Sequence, residues 1–128
     1  MNCHLCSNLS RVLILSVSLL ASARALASGP VVEKVEPPNW WPGQSLNRVC
    51  LLVRGKDLSG AQVQISGPDL QVGNVRSNSS GTYLFVEVTI NPGARPGSHP
   101  LKIITAGGAA TAPFEVLKPL DSQGRFQG

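Results

Sequence analysis

The chain is poor in the residues that build active sites. Its 128 residues include two histidines and three cysteines. Cys3 and Cys6 precede an apolar run, so we assign this Cys-x-x-Cys pair to a leader and not to a working redox or metal site. His99 stands before a proline at the start of a strand, which predicts a turn residue. A Ser-His-Asp triad or a histidine-rich metal site has little material here, and we predict no catalytic residue, metal or cofactor.

Acidic residues are also scarce, and their positions do not suggest a catalytic pair of carboxylates. A glycoside hydrolase needs two carboxylates that face each other across a cleft. The seven acids fall mostly on predicted strand exteriors or in turns, where a solvated position is the ordinary interpretation. No glycine-rich phosphate loop follows a strand and opens a helix. The chain by itself is therefore predicted not to be an enzyme but a binding or structural module.

Positive charge is present but not clustered. The formal net charge of +4 falls to +2 if residues 1–27 are removed, because Arg11 and Arg24 leave and no acid does. The remaining lysines and arginines are spaced singly, without the basic stripe that binding to a phosphate backbone requires. Nucleic acid is therefore not an expected partner.

Residues 1–27 read as a signal peptide. Arg11 precedes the apolar run of residues 12–21, and Ala-Leu-Ala at residues 25–27 supplies a small-x-small cleavage pattern. The alternative is a membrane anchor, but about ten residues are too short for a bilayer core that needs about 20. We expect an exported chain, periplasmic or extracellular, with no membrane association after cleavage.

After the leader, the pattern predicts an all-β domain over residues 28–117. Residues 82–90 alternate cleanly and place Leu84, Val86, Val88 and Ile90 inward. Further strands are predicted over residues 31–35, 48–54, 61–65, 70–76 with a possible bulge at the glycine, 101–105 and 111–117. Six to eight short strands at such spacing indicate an immunoglobulin-like antiparallel β-sandwich. Residues 118–128 leave the pattern and are predicted to be a linker.

One cysteine remains in this predicted domain. Cys50 lies in the apolar strand of residues 48–54, where a lone thiol is expected to be a small buried hydrophobe. No internal disulfide is therefore predicted.

Both tryptophans of the chain lie between prolines, at Trp40 and Trp41. Together with Asn39 and Pro42 they form our candidate interface or sugar-binding residues. Three interpretations are open: packing against another domain or subunit, closure of the domain's own core, or stacking on sugar rings. An interdomain face would leave at least one indole largely exposed. If the backbone is extended, the two side chains point to opposite sides.

Residues 35–43, Val-Glu-Pro-Pro-Asn-Trp-Trp-Pro-Gly, resemble the opening of the N-terminal domain of cyclomaltodextrinase and neopullulanase-type enzymes of the α-amylase superfamily. Leu-Leu-Val-Arg-Gly-Lys-Asp-Leu at residues 51–58 extends the resemblance, and Pro-Gly-Ala-Arg-Pro-Gly at residues 92–97, leading into Leu-Lys-Ile-Ile at residues 101–104, is similar to its late strands. The similarity covers roughly residues 30–117. Its specific part is the Pro-Pro-Asn-Trp-Trp run.

In that family the domain precedes a (β/α)8 barrel that carries the catalytic acids, and it often takes part in dimerisation. The resemblance implies a non-catalytic accessory domain of an exported α-glucan or cyclodextrin hydrolase, present as a truncated chain. Its implied partner is the barrel of the parent enzyme or a second subunit. The alternative is a stand-alone exported carbohydrate-binding or protein-interaction module, with α-glucan as a ligand.

Overall fold

The computed structural model describes residues 28–118, and it is built from ten β-strands with no helix in that range. The predicted signal peptide with its Cys3–Cys6 pair, and residues 119–128 of the predicted linker, lie outside the described residues. The strands are β1 (Val31–Glu36), β2 (Asn39–Trp40), β3 (Arg48–Lys56), β4 (Gln62–Ile65), β5 (Leu70–Ser77), β6 (Tyr83–Ile90), β7 (Gly97–Ser98), β8 (Leu101–Thr105), β9 (Gly108–Ala112) and β10 (Glu115–Val116).

Two main sheets form a sandwich. One has the strand order β1-β3-β6-β5 and the other β4-β8-β9, with antiparallel pairing throughout both. A third, small sheet joins β2, β10 and β7, and its β2–β10 pair is parallel. The strand orders of the two main sheets are those of the four-stranded and three-stranded sheets of an immunoglobulin constant-type domain, when the seven strands of these sheets are lettered in chain order. The predicted all-β, immunoglobulin-like sandwich is confirmed. The structure has ten strands instead of the predicted six to eight, because three of them, β2, β7 and β10, are short segments of two residues each.

The core lies between the main sheets and is supplied by alternating residues. On β6 the inward residues Leu84, Val86, Val88 and Ile90 have no exposed surface, as the sequence predicts. They pack with similarly buried side chains of the neighbouring elements, namely Leu51, Val53, Leu58, Leu101, Ile103, Phe114 and Val116. Burying one such aliphatic side chain stabilises a fold by about 1.5–3 kcal/mol, so β6 and its neighbours contribute much of the driving force.

The two edge strands of the four-stranded sheet have the irregularities that their sequences predict. β1 lies at one edge of the four-stranded sheet and ends at Glu36, because the proline that follows cannot donate a ladder hydrogen bond. The Glu36–Pro37 peptide is cis at the point where the chain leaves this sheet for the small one. β5 forms the other edge, and its pairing with β6 shifts register between Val72 and Val75. The bulge predicted around Gly73 is therefore confirmed.

Three local predictions are wrong. Cys50 is exposed, because Val49, Leu51 and Val53 take the inward positions of β3 and alternation turns the intervening residue outward. Residues 111–117 do not form one strand, since Pro113 separates β9 from β10, although Phe114 and Val116 are both buried as expected.

The third error concerns the end of a strand. β3 continues through Gly55 to Lys56, two residues beyond the predicted end at residue 54.

Candidate functional site

The aromatic segment, residues 37–43, is tied to the end of the sandwich by backbone hydrogen bonds. The Glu115 N–H donates to the Pro38 carbonyl at 3.1 Å, and the Leu117 N–H donates to the Trp40 carbonyl at 2.8 Å. These bonds belong to the parallel β2–β10 pairing. The segment is therefore a short strand with a fixed position beside the C-terminal strand, and not a free loop.

Trp40 is half-buried and packs against the hydrophobic core. Its indole Nε1–H donates to the carbonyl of Leu46 at 3.1 Å, which closes the loop that follows. An indole with an apolar body against the core and a satisfied N–H has the surroundings of a structural residue. The geometry of Trp40 thus fits closure of the domain's own core best.

Trp41 leans on Trp40 instead of pointing away from it. The two ring centroids are 5.9 Å apart with an interplanar angle of 61°, an edge-to-face contact. Trp41 lies just beyond β2, where the extended backbone has ended, so the expected divergence of the two side chains does not occur. Trp41 is also half-buried. It is therefore less exposed than an open interdomain face would require and less buried than a core residue would be.

The other two candidate residues differ from each other. Pro42 is buried and shapes the segment without presenting a surface. Asn39 is half-buried and lines an open groove of about 740 Å³ at the β1 edge. The residues around this groove come from β1, the aromatic segment and the β7–β10 region: Lys34, Val35, Glu36, Pro38, Asn39, Ser98, Pro113, Phe114 and Glu115. Neither indole lines it, so the structure separates the tryptophan pair from the cavity that Asn39 borders.

The groove carries charge of both signs. Lys34 and Glu36 form an ion pair at its wall. The hydrogen bond from Lys34, and then its positive charge, lower the pKa of the Glu36 carboxyl below the usual value for glutamate. Glu115 is exposed on the other side. This mixed lining suits a polar partner surface or a neutral polyhydroxy ligand better than a strongly charged one.

Other polar residues are engaged in structure. Asp69 is buried and is held by Arg95, whereas the sequence predicted solvated acids. His99 Nε2 lies 2.7 Å from the Arg95 carbonyl, in the connection between β7 and β8. Among residues 28–118 no three His, Cys, Asp or Glu side chains lie close enough together to hold a metal ion. No helix in the same range is long and apolar enough to cross a membrane.

Sequence reasoning overlooked one surface. Tyr83 and Phe85 lie on the outer face of the four-stranded sheet with 38% and 40% of their surface exposed. The half-buried Leu52 is paired with Phe85 across the β3–β6 ladder. The alternation of residues 82–90 already places these aromatics on the outward side. That pattern was the available signal for an apolar outer face.

Comparison with known proteins gives one family match. The profile described as the N-terminal domain of cyclomaltodextrinase matches residues 34–118, which is most of the chain and nearly all of the described domain. No curated protein matches the sequence. Among solved structures, a chimeric titin Z1Z2-Z1Z2 tandem carrying a GRGDS peptide from fibronectin aligns with a TM-score of 0.42 and 14% identity. The alignment covers 75% of this chain and 52% of the tandem, so this chain matches about half of that protein's length.

The molecule is thus an immunoglobulin-like domain whose specific aromatic segment falls inside the matched region. The chain belongs to the family of cyclomaltodextrinase N-terminal domains. Such domains are non-catalytic accessory parts of enzymes of the α-amylase superfamily, and the resemblance seen in residues 35–43 is confirmed.

Proposed function

We propose that the chain is the non-catalytic N-terminal accessory domain of an exported α-glucan or cyclodextrin hydrolase, and that it packs against a catalytic barrel or a second subunit. The family match over residues 34–118 is the observation that carries this proposal. Three of the described acids, Glu33, Glu36 and Asp69, form ion pairs with basic side chains, which gives each of them a structural role and agrees with a non-catalytic domain.

Trp41 and the rim of the groove near Asn39 are the proposed contact surface. Trp40 is engaged by the core and by Leu46, whereas Trp41 rests on Trp40 and keeps part of its ring in solvent. A large aromatic ring placed on a backbone fixed by β10 offers contact area at little cost in side-chain entropy. Asn39, which lies in the same short strand as Trp40, adds a polar group from the groove rim to that proposed surface.

Export to the periplasm or the extracellular space is part of the proposal. It rests on the leader pattern of residues 1–27 and predicts Ser28 as the first residue of the exported chain. N-terminal sequencing of chain recovered from the periplasm or the medium tests this point. An intact Met1 there would contradict it.

A stand-alone carbohydrate-binding module is the second candidate. The open groove favours it, because its apolar floor is flanked by Asn39, Ser98 and Glu115, groups that can hydrogen-bond to sugar hydroxyls. The separation of the two indoles from this groove weighs against a tryptophan sugar platform. Titration with β-cyclodextrin, followed by tryptophan fluorescence and by calorimetry, distinguishes a ligand at the indoles from one in the groove.

The accessory role has a direct test. Purified full chain should hydrolyse neither cyclodextrin, pullulan nor starch, and measurable turnover would contradict the proposal. A cyclomaltodextrinase barrel lacking its own N-terminal domain should bind the chain in trans. Trp41→Ala should weaken that binding about tenfold or more, as loss of a central aromatic contact does. The exposed Leu46→Ala change in the following loop is the control and should leave it unchanged.

A further inference from the structure

A polar depression lies at the end of the sandwich where the described chain begins. Its volume is about 290 Å³, and three turns meet there: residues 57–60 after β3, residues 78–82 between β5 and β6, and residues 106–107 between β8 and β9. The lining has one carboxylate, four hydroxyls and no basic side chain. It is formed by Ser28, Asp57, Ser59, Ser80, Thr105, Ala106 and Gly107. Such a lining offers hydrogen-bond acceptors to a cation and no positively charged donor to an anion.

The start of the described chain is fixed beside this depression. The beginning of β1 lies so close to β3 that a Cβ on Gly55 would be 1.8 Å from the carbonyl oxygen of Val31. Gly29 lies against the β8–β9 turn, where a Cβ would be 3.4 Å from the carbonyl oxygen of Gly107. These contacts leave little freedom to the residue that precedes them. Ser28 therefore has a defined position at the depression that it lines.

Asp57 supplies the carboxylate of the depression. Three ion pairs occur among residues 28–118, and none of them includes Asp57. Its backbone lies in the left-handed region with a φ of 55°, which no other non-glycine residue of the described chain adopts. Aspartate tolerates this region, but glycine adopts it at lower cost. The turn after β3 thus presents a carboxylate at a position where glycine would be less strained.

We propose that this depression binds the α-ammonium group of Ser28 after removal of the leader, with Asp57 as the counter-ion. The inference rests on the export part of the proposed function, in which Ser28 is the first residue of the exported chain. Hydrolysis of the bond between residues 27 and 28 leaves a carboxylate on Ala27 and an ammonium on Ser28. An ordinary α-amino group is largely protonated at pH 7, so a neutral amide becomes a cation with three donors.

The hydroxyls around Asp57 are held in place to receive such a group. Ser59 packs against the turn of residues 78–82, where a Cβ on Gly81 would be 2.5 Å from the Ser59 Oγ. The side-chain amide of Asn78 donates to the Ser80 hydroxyl at 2.9 Å. Acceptors that are already positioned lose little conformational entropy when they bind. The depression is therefore preorganised for a small cation.

This contact makes the stability of the domain depend on leader removal. In the precursor the Ser28 nitrogen is an uncharged amide within a continuous chain, so it cannot form the ion pair with Asp57. Both residues are exposed, which limits the contact to the strength of a surface ion pair. Cleavage should therefore lower the equilibrium constant for unfolding by about threefold, and by about fivefold at most.

Chains with defined first residues test the proposal. Cleavage of a fusion partner gives one chain that begins at Ser28 and one that begins at Ala25, whose amino group lies about 10 Å farther along the backbone. At pH 7 and low salt, the chain that begins at Ser28 should have the higher Tm by about 3 °C or more. Equal Tm values would overturn the proposal.

The pH dependence identifies the group responsible. Asp57 is the one titratable side chain that lines the depression, and the two chains share every side-chain titration. The stabilisation needs a charged α-amino group, so it should be complete below about pH 7.5 and lost as the pH rises to about 10. Salt at about 1 M should also reduce it. A difference in Tm that is the same at pH 7 and pH 10 would overturn the proposal.

The melts do not depend on export, because fusion cleavage defines the first residue. N-terminal sequencing of the exported chain tests the cleavage site separately. Equal melts, with Ser28 found as the exported first residue, would overturn this inference and leave export supported. An intact Met1, with melts that differ as expected, would contradict export and leave the binding site supported.

Asp57→Asn tests the counter-ion. Asparagine also tolerates positive φ, so the variant keeps the turn and loses the charge. It should lower the Tm of the chain that begins at Ser28 to that of the chain that begins at Ala25, and it should barely change the latter. Glu33→Gln removes an exposed carboxylate that is paired with Arg54, and as the matched control it should preserve the difference between the chains. A difference that survives Asp57→Asn would mean that the added residues strain the start of β1, and would overturn the proposal.

Discussion

The carboxylate of Asp69, in the bend just before β5, accepts hydrogen bonds from the guanidinium of Arg95 in the loop after β6. Nε and Nη2 of Arg95 each lie 3.0 Å from Oδ2 of Asp69. The Asp69 side chain is 10% exposed, whereas that of Arg95 is 76% exposed. The Asn91 N–H also donates to the Asp69 carbonyl at 3.0 Å. The contact therefore joins two segments 26 residues apart and satisfies a buried acid.

We expect Arg95→Ala to destabilise the domain by about 1 kcal/mol. A hydrogen bond to a buried charge is worth about 1.5–3 kcal/mol, and exposure of the guanidinium reduces that value through solvent screening. Arg54→Ala is the control, because its ion pair with Glu33 is exposed on both sides and should contribute about 0.5 kcal/mol or less. Urea denaturation measures both. Equal effects of the two substitutions would contradict a special role for the buried acid.

Gly55→Ala should be among the most damaging single changes. A Cβ at this position would lie 1.8 Å from the backbone carbonyl oxygen of Val31, so β1 could not remain where it is. Displacement of an edge strand from a packed sheet should cost about 3 kcal/mol, a fall in Tm of more than about 10 °C. Gly93→Ala, where a Cβ meets nothing within 4 Å, should change stability by less than about 0.5 kcal/mol. A normal melting curve for Gly55→Ala would contradict this close approach.

Asn78→Ala should open the turn between β5 and β6. The Asn78 amide donates to the hydroxyls of Ser80 and Thr82 at 2.9 Å each, and its Oδ1 accepts from the N–H groups of Thr82 and Tyr83 at 2.9 and 3.0 Å. Losing these bonds from a partly buried turn should cost about 2 kcal/mol. Ser79→Ala, in the same turn at an exposed position, should be nearly neutral. Thermal melts should therefore separate the two variants by about 8 °C or more.

Alternation made most of this fold predictable. Leu84, Val86, Val88 and Ile90 are inward because apolar residues at every second position leave one register that buries them. The same rule, applied to β3, would have placed Cys50 outward. The apolar composition around it favoured burial instead, and composition does not specify a face.

The long-range contacts were not predictable in this way. The pairing of Asp69 with Arg95 depends on how two loops meet after the sheets have formed, which no local pattern encodes. Alternation along β6 by itself puts Tyr83 and Phe85 on the outward side. Their meeting with Leu52 on one open face depends on the register between strands, and sequence spacing alone does not supply it.

Cys50 should react readily in the native state. Its exposure on β3 predicts that a thiol reagent such as Ellman's reagent modifies it without unfolding the chain. The measurement uses the chain with Cys3→Ser and Cys6→Ser, so that only one thiol is counted. One thiol per chain should react within minutes at low protein concentration. Reaction only after addition of denaturant would restore the interpretation of a buried thiol.

The two tryptophans should separate stability from binding. Trp40→Phe keeps an aromatic ring against the core but loses the hydrogen bond to the Leu46 carbonyl, so it should destabilise the domain by about 1 kcal/mol. Trp41→Phe removes no hydrogen bond seen in the described chain and should cost less. For binding of a catalytic barrel, Trp41 should be the more important residue. Trp41→Ala should therefore weaken barrel binding more than Trp40→Phe does. Denaturation and barrel binding, measured on the same preparations, check both expectations. Equal losses of stability for the two substitutions to phenylalanine, together with unchanged binding by Trp41→Ala, would assign both indoles to the core and remove the aromatic segment as an interface.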